Sequence, residues 1–344
     1  MTDILPSTDR VLLTGASGFI AQHILLQLLA EGYAVRATVR SAAKAKLVRR
    51  NLQGQGADLS RLDFVELDLL DDRGWDAAMV GCRFVIHTAS PFPAKLPRER
   101  FGLVPTARDG TLRVVDAAIR AGVERLVLTS SVAAIYYGHP DQAGRRFTEA
   151  DWSNAESPTT SAYALSKTLA EQAAWARVAG TPLQLAVINP SVVLGPLLSE
   201  EVSTSTSLIR LMLRGRLPVV PNVSLGLVDV RDVAAAHLSA MTAPEAAGRR
   251  FIVSAGTRSL RAMGEVLAAV FPSYRWKLPH AVLPDIAVRV AALISPQAAQ
   301  IVPELGAPKT LVAEAAAQVL GLSMRPAEDA IIATANSLIE RRLA

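Results

Sequence analysis

Tyr163 and Lys167, four residues apart, are the side chains in this sequence best suited to move a proton. On a helix, positions i and i+4 lie about one turn apart on one face, so the phenol and the ammonium project together. A free phenol has a pKa of about 10 and is a poor proton shuttle near neutrality. A neighbouring ammonium favours the phenolate and is expected to draw that pKa down toward the working range. Upstream, Thr129-Ser130-Ser131 closes an apolar run. A serine there, Ser131, can hydrogen-bond a carbonyl oxygen while Tyr163 protonates it and a hydride arrives on carbon. A Tyr-x-x-x-Lys pair alone occurs by chance on many helices, so its weight depends on what precedes it.

What precedes it is Thr14-Gly15-Ala16-Ser17-Gly18-Phe19-Ile20-Ala21, directly after an apolar run and directly before a helical pattern. Gly15 permits a tight turn, and Gly18 lets backbone approach a pyrophosphate. The helix that begins at Phe19 and Ile20 offers free N–H groups and a partial positive charge. Ala21, the smallest substitute for a third glycine, preserves helix–strand packing. This dinucleotide signature extends to the second strand, which ends in Arg40 where a site for the unphosphorylated cofactor places an acid. A guanidinium supplies the multi-donor geometry that a 2′-phosphate needs, so the expected cofactor is NADP(H). Lys44 or Lys46, one turn on, is placed to add a second positive charge. Asp68 and Leu69 fall where an adenine edge arrives. Thr88, Ala89 and Ser90 are small enough for a cofactor to pass close to the chain.

These residues need a scaffold, and the pattern specifies one. Short β-branched runs alternate with helical periodicity through the first half: strands over Arg10–Thr14, Tyr33–Val39, Phe64–Leu67, Phe84–Thr88, Leu126–Thr129 and Leu185–Ile188. Between them fall helices, among them one to about Ala30, one capped by Ser41, one over Asp109–Ala121 and a long one over Ser161–Ala179. That order predicts an α/β fold, a Rossmann-type doubly wound parallel sheet with a smaller C-terminal substrate-binding lobe. The division falls near residue 190, with the sheet rejoined by about 226–256 and residues 191–344 forming mainly the lobe. Beyond Pro190 the alternation is lost, apart from a strand over Phe251–Ser254, and helices and loops are expected.

The chain has 344 residues, 36 Lys+Arg against 31 Asp+Glu, and a net charge of +5. The basic residues are scattered apart from Lys44, Lys46, Arg49 and Arg50. Aromatics make up 5% and do not interleave with that run, which argues against nucleic acid. The single cysteine, Cys82, allows no internal disulfide or metal cluster, and no redox role is expected of it. No signal peptide pattern opens the sequence, and the apolar stretch Ala281–Ser295 is too short to span a bilayer and carries Asp285 and Arg289. A cytoplasmic monomer or homodimer without membrane or metal is expected. His87 reads as a packed residue near the cofactor.

The motifs Thr-Gly-Ala-Ser-Gly-Phe-Ile at 14–20, Val-Arg-Ala-Thr-Val-Arg at 35–40, Thr-Ser-Ser at 129–131, Tyr-x-x-x-Lys at 163–167 and Asn-Pro-Ser-Val-Val-Leu-Gly-Pro at 189–196 together resemble extended short-chain dehydrogenase/reductases. The stretch Ser166–Trp175 is especially similar to the dihydroflavonol reductase and cinnamoyl-CoA reductase branch, which includes microbial aldehyde and ketone reductases. The resemblance covers roughly residues 8–255. It implies NADPH-dependent carbonyl reduction, with Ser131, rather than Ser130, joining Tyr163 and Lys167 as the catalytic set. It also implies nicotinamide-side contacts from Pro190, Ser191 and Val192, with a serine of Ser203–Ser207 beside them, and a mainly structural role for Asp229, Asp232 and His237. Tyr136 stands where plant dihydroflavonol reductases carry a polar substrate-selecting residue, which points away from a flavonoid. Ser161-Ala162 stands where cinnamoyl-CoA reductases carry Asn-Trp, which points away from a CoA thioester. A general aldehyde or ketone substrate follows, in an apolar pocket expected from Phe92, Val132, Tyr136, Leu208, Met212 and Leu227. Alternatives on the same fold are a 3β-hydroxysteroid or sterol dehydrogenase, an NAD-dependent nucleotide-sugar epimerase or dehydratase, and an NADPH-sensing module that binds a partner protein.

Overall fold

The computed structural model describes residues 9–90, 99–139, 144–306 and 308–344. Its first half alternates as the pattern requires: Arg10–Thr14 (β1), Phe19–Ala30 (α1), Ala34–Val39 (β2), Ala42–Gln53 (α2), Leu62–Glu66 (β3) and Trp75–Met79 (α3). Phe84–His87 (β4), Val104–Arg120 (α4), Arg125–Thr129 (β5), the two-residue Arg146–Phe147 (β6), Ala162–Val178 (α5) and Gln184–Pro190 (β7) follow. Beyond Pro190 come Val192–Leu194 (β8), Thr204–Leu213 (α6), Val219–Pro221 (β9), Ser224–Asp229 (β10), Val230–Thr242 (α7), Arg249–Val253 (β11) and Thr257–Ser259 (β12). The chain closes with Leu260–Val270 (α8), Ala281–Leu283 (β13), Asp285–Ala291 (α9), Pro296–Ile301 (α10), Thr310–Leu311 (β14), Glu314–Leu320 (α11) and Ala327–Glu340 (α12).

Seven strands form one parallel sheet in the order β11-β7-β5-β4-β1-β2-β3. The order reverses between β1 and β4, so the crevice at their C-terminal ends is the topological switch point where ligands of such sheets bind. Helices cover both faces, and so the central strands are apolar without alternation: Val11, Leu12, Leu13, Val85, Ile86, Leu126, Val127, Val187 and Ile188 have no measurable exposure. Each such side chain contributes about 1.5–3 kcal/mol relative to being left in water. On one face Ile24, Leu25 and Leu28 of α1 meet Val233 and Ala236 of α7. On the other, Val114, Val115 and Ala118 of α4 join Ala174 of α5. A separate core built on Leu194, Ile209, Met212, Leu213, Met263, Leu267, Ile331 and Leu338 holds the C-terminal lobe together.

Several local expectations shift. Helix α4 begins at Val104, five residues before the expected Asp109, because Val104, Ala107, Gly110 and Thr111 continue the buried stripe of Val114 and Val115. Pro105 is tolerated there because first-turn N–H groups have no helical partner. Strand β7 runs through Pro190 instead of stopping before it, since β11 pairs beside it with Val253 opposite Pro190. The lobe also contains short strands where only helices and loops are expected. β8, β10 and β12 form a three-stranded sheet, and β13 pairs with β9. They are short segments of three to six residues whose pairing is set by distant chain.

Candidate active site

The turn after β1 is built from glycines for a measurable reason. Gly15 has φ +70°, and a Cβ added there would meet Ala89 Cα at 2.9 Å. Ala89 is pressed against this turn because its N–H donates to Thr14 Oγ1 at 3.1 Å and the Thr88 hydroxyl donates to the Thr14 carbonyl at 2.6 Å. The turn is held from the other side by β2, where Ala16 N–H donates to Thr38 O at 2.9 Å and Gly15 N–H to Thr38 Oγ1 at 3.2 Å. Gly18 then serves as the N-cap of α1 without a side-chain cap, so the helix start at Phe19 and Ile20 has no capping side chain over its N–H groups. The Ser17 carbonyl accepts from Gln22 Nε2 at 3.1 Å, which fixes the turn's last peptide. A glycine-flanked turn, an uncapped helix start and no acid in the helix's first turn fit a pyrophosphate.

Arg40 follows β2, is exposed, and makes no ion pair among the described residues. Lys44, expected beside it, is instead paired with Glu201 of the segment between β8 and α6. The arginine is thus the better-placed cation for a phosphate at this strand end. Ser41 caps α2 as expected, accepting from Lys44 N–H at 3.4 Å. Asp68 turns its Oδ1 back to Leu70 N–H at 3.0 Å, which shapes the loop after β3, and Leu69 packs its side chain against Gly110 of α4.

Ser131, Tyr163 and Lys167 come together at the C-terminal end of β5. Ser161 caps α5 by accepting from Ala164 N–H at 3.2 Å, which sets the start of the helix two residues before Tyr163. Tyr163 is half-buried, and a hydrogen bond links its hydroxyl to Ser131. The neighbouring Ser130 instead buries a hydroxyl with no hydrogen-bond partner among the described residues, so Ser131 is the serine that meets the tyrosine. Lys167 Nζ lies 3.4 Å from the Thr129 carbonyl oxygen. Burial pushes its pKa down to about 8, with the Glu171 carboxylate acting the other way. For Tyr163, burial raises the pKa, and the hydrogen bond with Ser131 opposes the rise. The direction differs from the one expected from spacing: burial moves the phenol up, opposed by the Ser131 hydrogen bond, so the phenol is a protonated acid at neutral pH.

Around these residues lies a buried polar frame that the motifs did not reveal. Glu171, one turn beyond Lys167, accepts from Arg250 Nε at 2.5 Å and from Asn189 Nδ2 at 2.9 Å. The same Asn189 amide donates to the Ser131 carbonyl at 3.1 Å. Arg250 is itself held by the Glu149 and Asp151 carbonyls at 2.8 and 2.7 Å and stacks over Trp152 at 3.8 Å. An acid in line with Tyr163 and Lys167 at i, i+4 and i+8 was the signal available. His87 is fully enclosed, bonded to Thr14 Oγ1 at 2.7 Å, and burial lowers its pKa to about 3, so it is a neutral packing residue. His237 bonds Thr129 Oγ1 and the Val233 carbonyl, both at 2.7 Å, and Asp229 caps α7 by accepting from Arg231 N–H at 2.8 Å. Cys82 is buried, and burial raises its thiol pKa.

A small pocket opens beside these groups, lined by Ala89, Ser90, Thr111, Thr129, Ser130, Lys167 and Glu171 among others. It joins the small residues after β4 to the lysine. On the nicotinamide side of the expected arrangement, Pro190 is buried at the end of β7, Ser191 N–H donates to the Val253 carbonyl at 3.1 Å, and Val192 pairs with Leu227. Ser203 caps α6, accepting from Thr206 N–H at 3.2 Å. Of the expected substrate wall, Val132 follows Ser131 directly, and Tyr136 is near enough to Tyr163 for their hydroxyls to act on one another electrostatically. Leu208 is half-buried on α6, whereas Met212 and Leu227 are wholly within the lobe core and pack against its helices. Phe92 lies outside the described residues.

The chain matches the NAD dependent epimerase/dehydratase family over residues 11–256. It is 34% identical over 341 residues to a cinnamoyl-CoA reductase of Medicago truncatula, covering 97% of both chains. To a cinnamoyl-CoA reductase of Oryza sativa subsp. japonica it is 38% identical over 267 residues, 77% of this chain and 76% of that one. Among solved structures, the yeast methylglyoxal/isovaleraldehyde reductase Gre2 complexed with NADPH superposes with a TM-score of 0.81 at 28% identity, covering 97% of this chain and 100% of the other.

Proposed function

The chain belongs to the NAD dependent epimerase/dehydratase family and is an NAD(P)-dependent oxidoreductase, and from that premise we propose that it reduces an aldehyde or ketone to the alcohol with NADPH. The observation that carries this reading is the hydrogen-bonded Ser131–Tyr163 pair with Lys167 beside it, at the end of the sheet that bears the glycine cradle. Gly15 and the start of α1 would hold the pyrophosphate, Arg40 the 2′-phosphate, and Ser90 with Lys167 the nicotinamide end. When bound, the cofactor supplies the hydride. Ser131 donates a hydrogen bond to the carbonyl oxygen and sets its distance from Tyr163. Tyr163 then transfers its hydroxyl proton to that oxygen, which completes the alcohol and leaves a phenolate. The Lys167 ammonium and the Ser131 hydroxyl stabilise that phenolate until a proton returns. A protonated tyrosine at neutral pH suits this direction.

A thioester reading has its own support, since the curated relatives described above are cinnamoyl-CoA reductases. Against it stands Ser161-Ala162 directly before Tyr163. NADPH oxidation by the purified protein against isovaleraldehyde, methylglyoxal, an aryl ketone and cinnamoyl-CoA separates the two, because thioester reduction also releases a titratable thiol. Tyr163→Phe is expected to lower turnover by about 10²–10⁴-fold with NADPH still bound. Turnover unchanged in this variant would refute the reading.

A further inference from the structure

The polar frame behind the catalytic residues has an arrangement that a merely structural ion pair does not need. Glu171 is 1% exposed and Arg250 8% exposed, so their pair is held in a low-dielectric interior. Two of the groups around Glu171 lead directly to the reaction centre. Asn189 Nδ2 bridges the Glu171 carboxylate at 2.9 Å to the Ser131 carbonyl at 3.1 Å, so the carboxylate anchors the main chain that carries the catalytic hydroxyl. Glu171 also shares the lining of one small pocket with Lys167, together with Thr111, Thr129 and Ser130.

We infer that Glu171 is a positioning residue for the reaction: through Asn189 it fixes Ser131, and one turn along α5, in the lining of the same pocket, it is the counter-charge of Lys167. The inference rests on the carbonyl-reductase reading, and it assigns roles to Glu171 and Asn189 that neither spacing nor motif supplies. The titratable groups around Lys167 are few. Glu171 and Tyr163 stand on its own helix. His87 faces it from β4, held neutral by burial, and β5 contributes only the Thr129 carbonyl. Arg250 faces Glu171 from β11 on the far side of the carboxylate. Glu171 is therefore the acidic group that opposes the effect of burial on Lys167.

The direct test is the titration of Lys167 itself. With only six lysines in the chain, selectively ¹³C-labelled lysine gives a readable spectrum, and Lys167→Met identifies its resonance. In Glu171→Gln the Lys167 midpoint is expected to fall by about 0.5–1 pH unit or more, and the alkaline limb of kcat for isovaleraldehyde with NADPH to move with it. Glu171→Asp, which keeps the charge, should restore most of both. Asn189→Ala should lower kcat about 10-fold or more while leaving the Lys167 midpoint in place, because it loosens Ser131 without touching the charge. Since Glu171→Gln leaves Arg250 buried without its partner, the double variant Glu171→Gln/Arg250→Gln checks folding, and with the opposing cation also gone the Lys167 midpoint should fall by less than in the single variant. A Lys167 midpoint unmoved in folded Glu171→Gln, or an unchanged kcat in Asn189→Ala, overturns the inference. The lysine titration needs no substrate. A wild-type protein that reduces no carbonyl would therefore sink the functional reading and leave this measurement standing.

Discussion

Replacing Gly15 with alanine tests the cradle and the cofactor reading together. At φ +70° an alanine is in the left-handed region, which costs about 1–2 kcal/mol. Its Cβ would lie 2.9 Å from Ala89 Cα and 3.1 Å from Ala89 N, both main-chain atoms. Those atoms cannot swing aside as a side-chain tip can, because Ala89 N–H is tied to Thr14 Oγ1 and the Thr88 hydroxyl to the Thr14 carbonyl. Overpacking of that kind adds about 1–3 kcal/mol, for a total of about 2–5 kcal/mol. Unfolding entropy of about 2.1 cal/mol/K per residue over this length converts that to a melting point lower by about 3–7 °C. The strain is relieved only if the β1–α1 turn moves away from the loop after β4, and that movement opens the cradle. Calorimetric melts with and without NADPH should therefore show a lower midpoint for Gly15→Ala and little of the stabilisation that NADPH gives the wild type. Gly18→Ala is the internal control. There φ is −70° and the nearest atom to a new Cβ is Gly15 O at 3.2 Å, so the stability loss should be about 1 kcal/mol. If Gly15→Ala melts within about 1 °C of the wild type and gains as much from NADPH, the close approach to Ala89 is not what selects glycine, and the argument fails.

Arg40→Ser should weaken NADPH binding by about 10–100-fold and leave NADH nearly untouched, measured by fluorescence titration with each cofactor; equal losses for both would remove Arg40 from the 2′-phosphate. Glu201→Gln frees Lys44 from its exposed partner, and because such pairs are worth at most about 1 kcal/mol, NADPH should bind up to about 5-fold tighter, with the gain shrinking in high salt. A weaker affinity would contradict that. Lys167 has a folded pKa of about 8 against 10.5 when exposed. Below pH 8 the folded chain carries the full desolvation cost of the ammonium, and as pH rises from 8 toward 10.5 only the unfolded chain stays protonated, so stability rises with pH across that window. Lys167→Met should therefore abolish turnover and yet raise stability at pH 7 by on the order of 2–3 kcal/mol, with the gain fading toward pH 10.5. Denaturant unfolding at pH 7 and pH 10 checks both the sign and the window.

Sequence periodicity alone determined the scaffold of the first half and marked the β1–α1 turn that we propose holds a dinucleotide. β1 occupies Arg10–Thr14 and α1 ends at Ala30 as the pattern requires, and Ser41 caps α2. These features are written locally, in apolar runs long enough for buried parallel strands, in glycines that only a turn needs, and in caps adjacent to the turns they close. Tyr163 and Lys167 were readable for the same reason, since one helix face carries both. What the tertiary structure alone decided lies between residues far apart in the chain. Glu171 meets Arg250 across 79 positions and Asn189 meets Ser131 across 58, and neither partner announces the other by spacing. Lys44 looked like a phosphate ligand until Glu201, 157 positions away, was found to claim it. The short strands β8 to β10 and β12 exist only because distant segments pair with them. The direction of the Tyr163 shift belongs to the same class. Spacing reports which charge is near, but burial is a property of the whole packed crevice, and here it sets the direction.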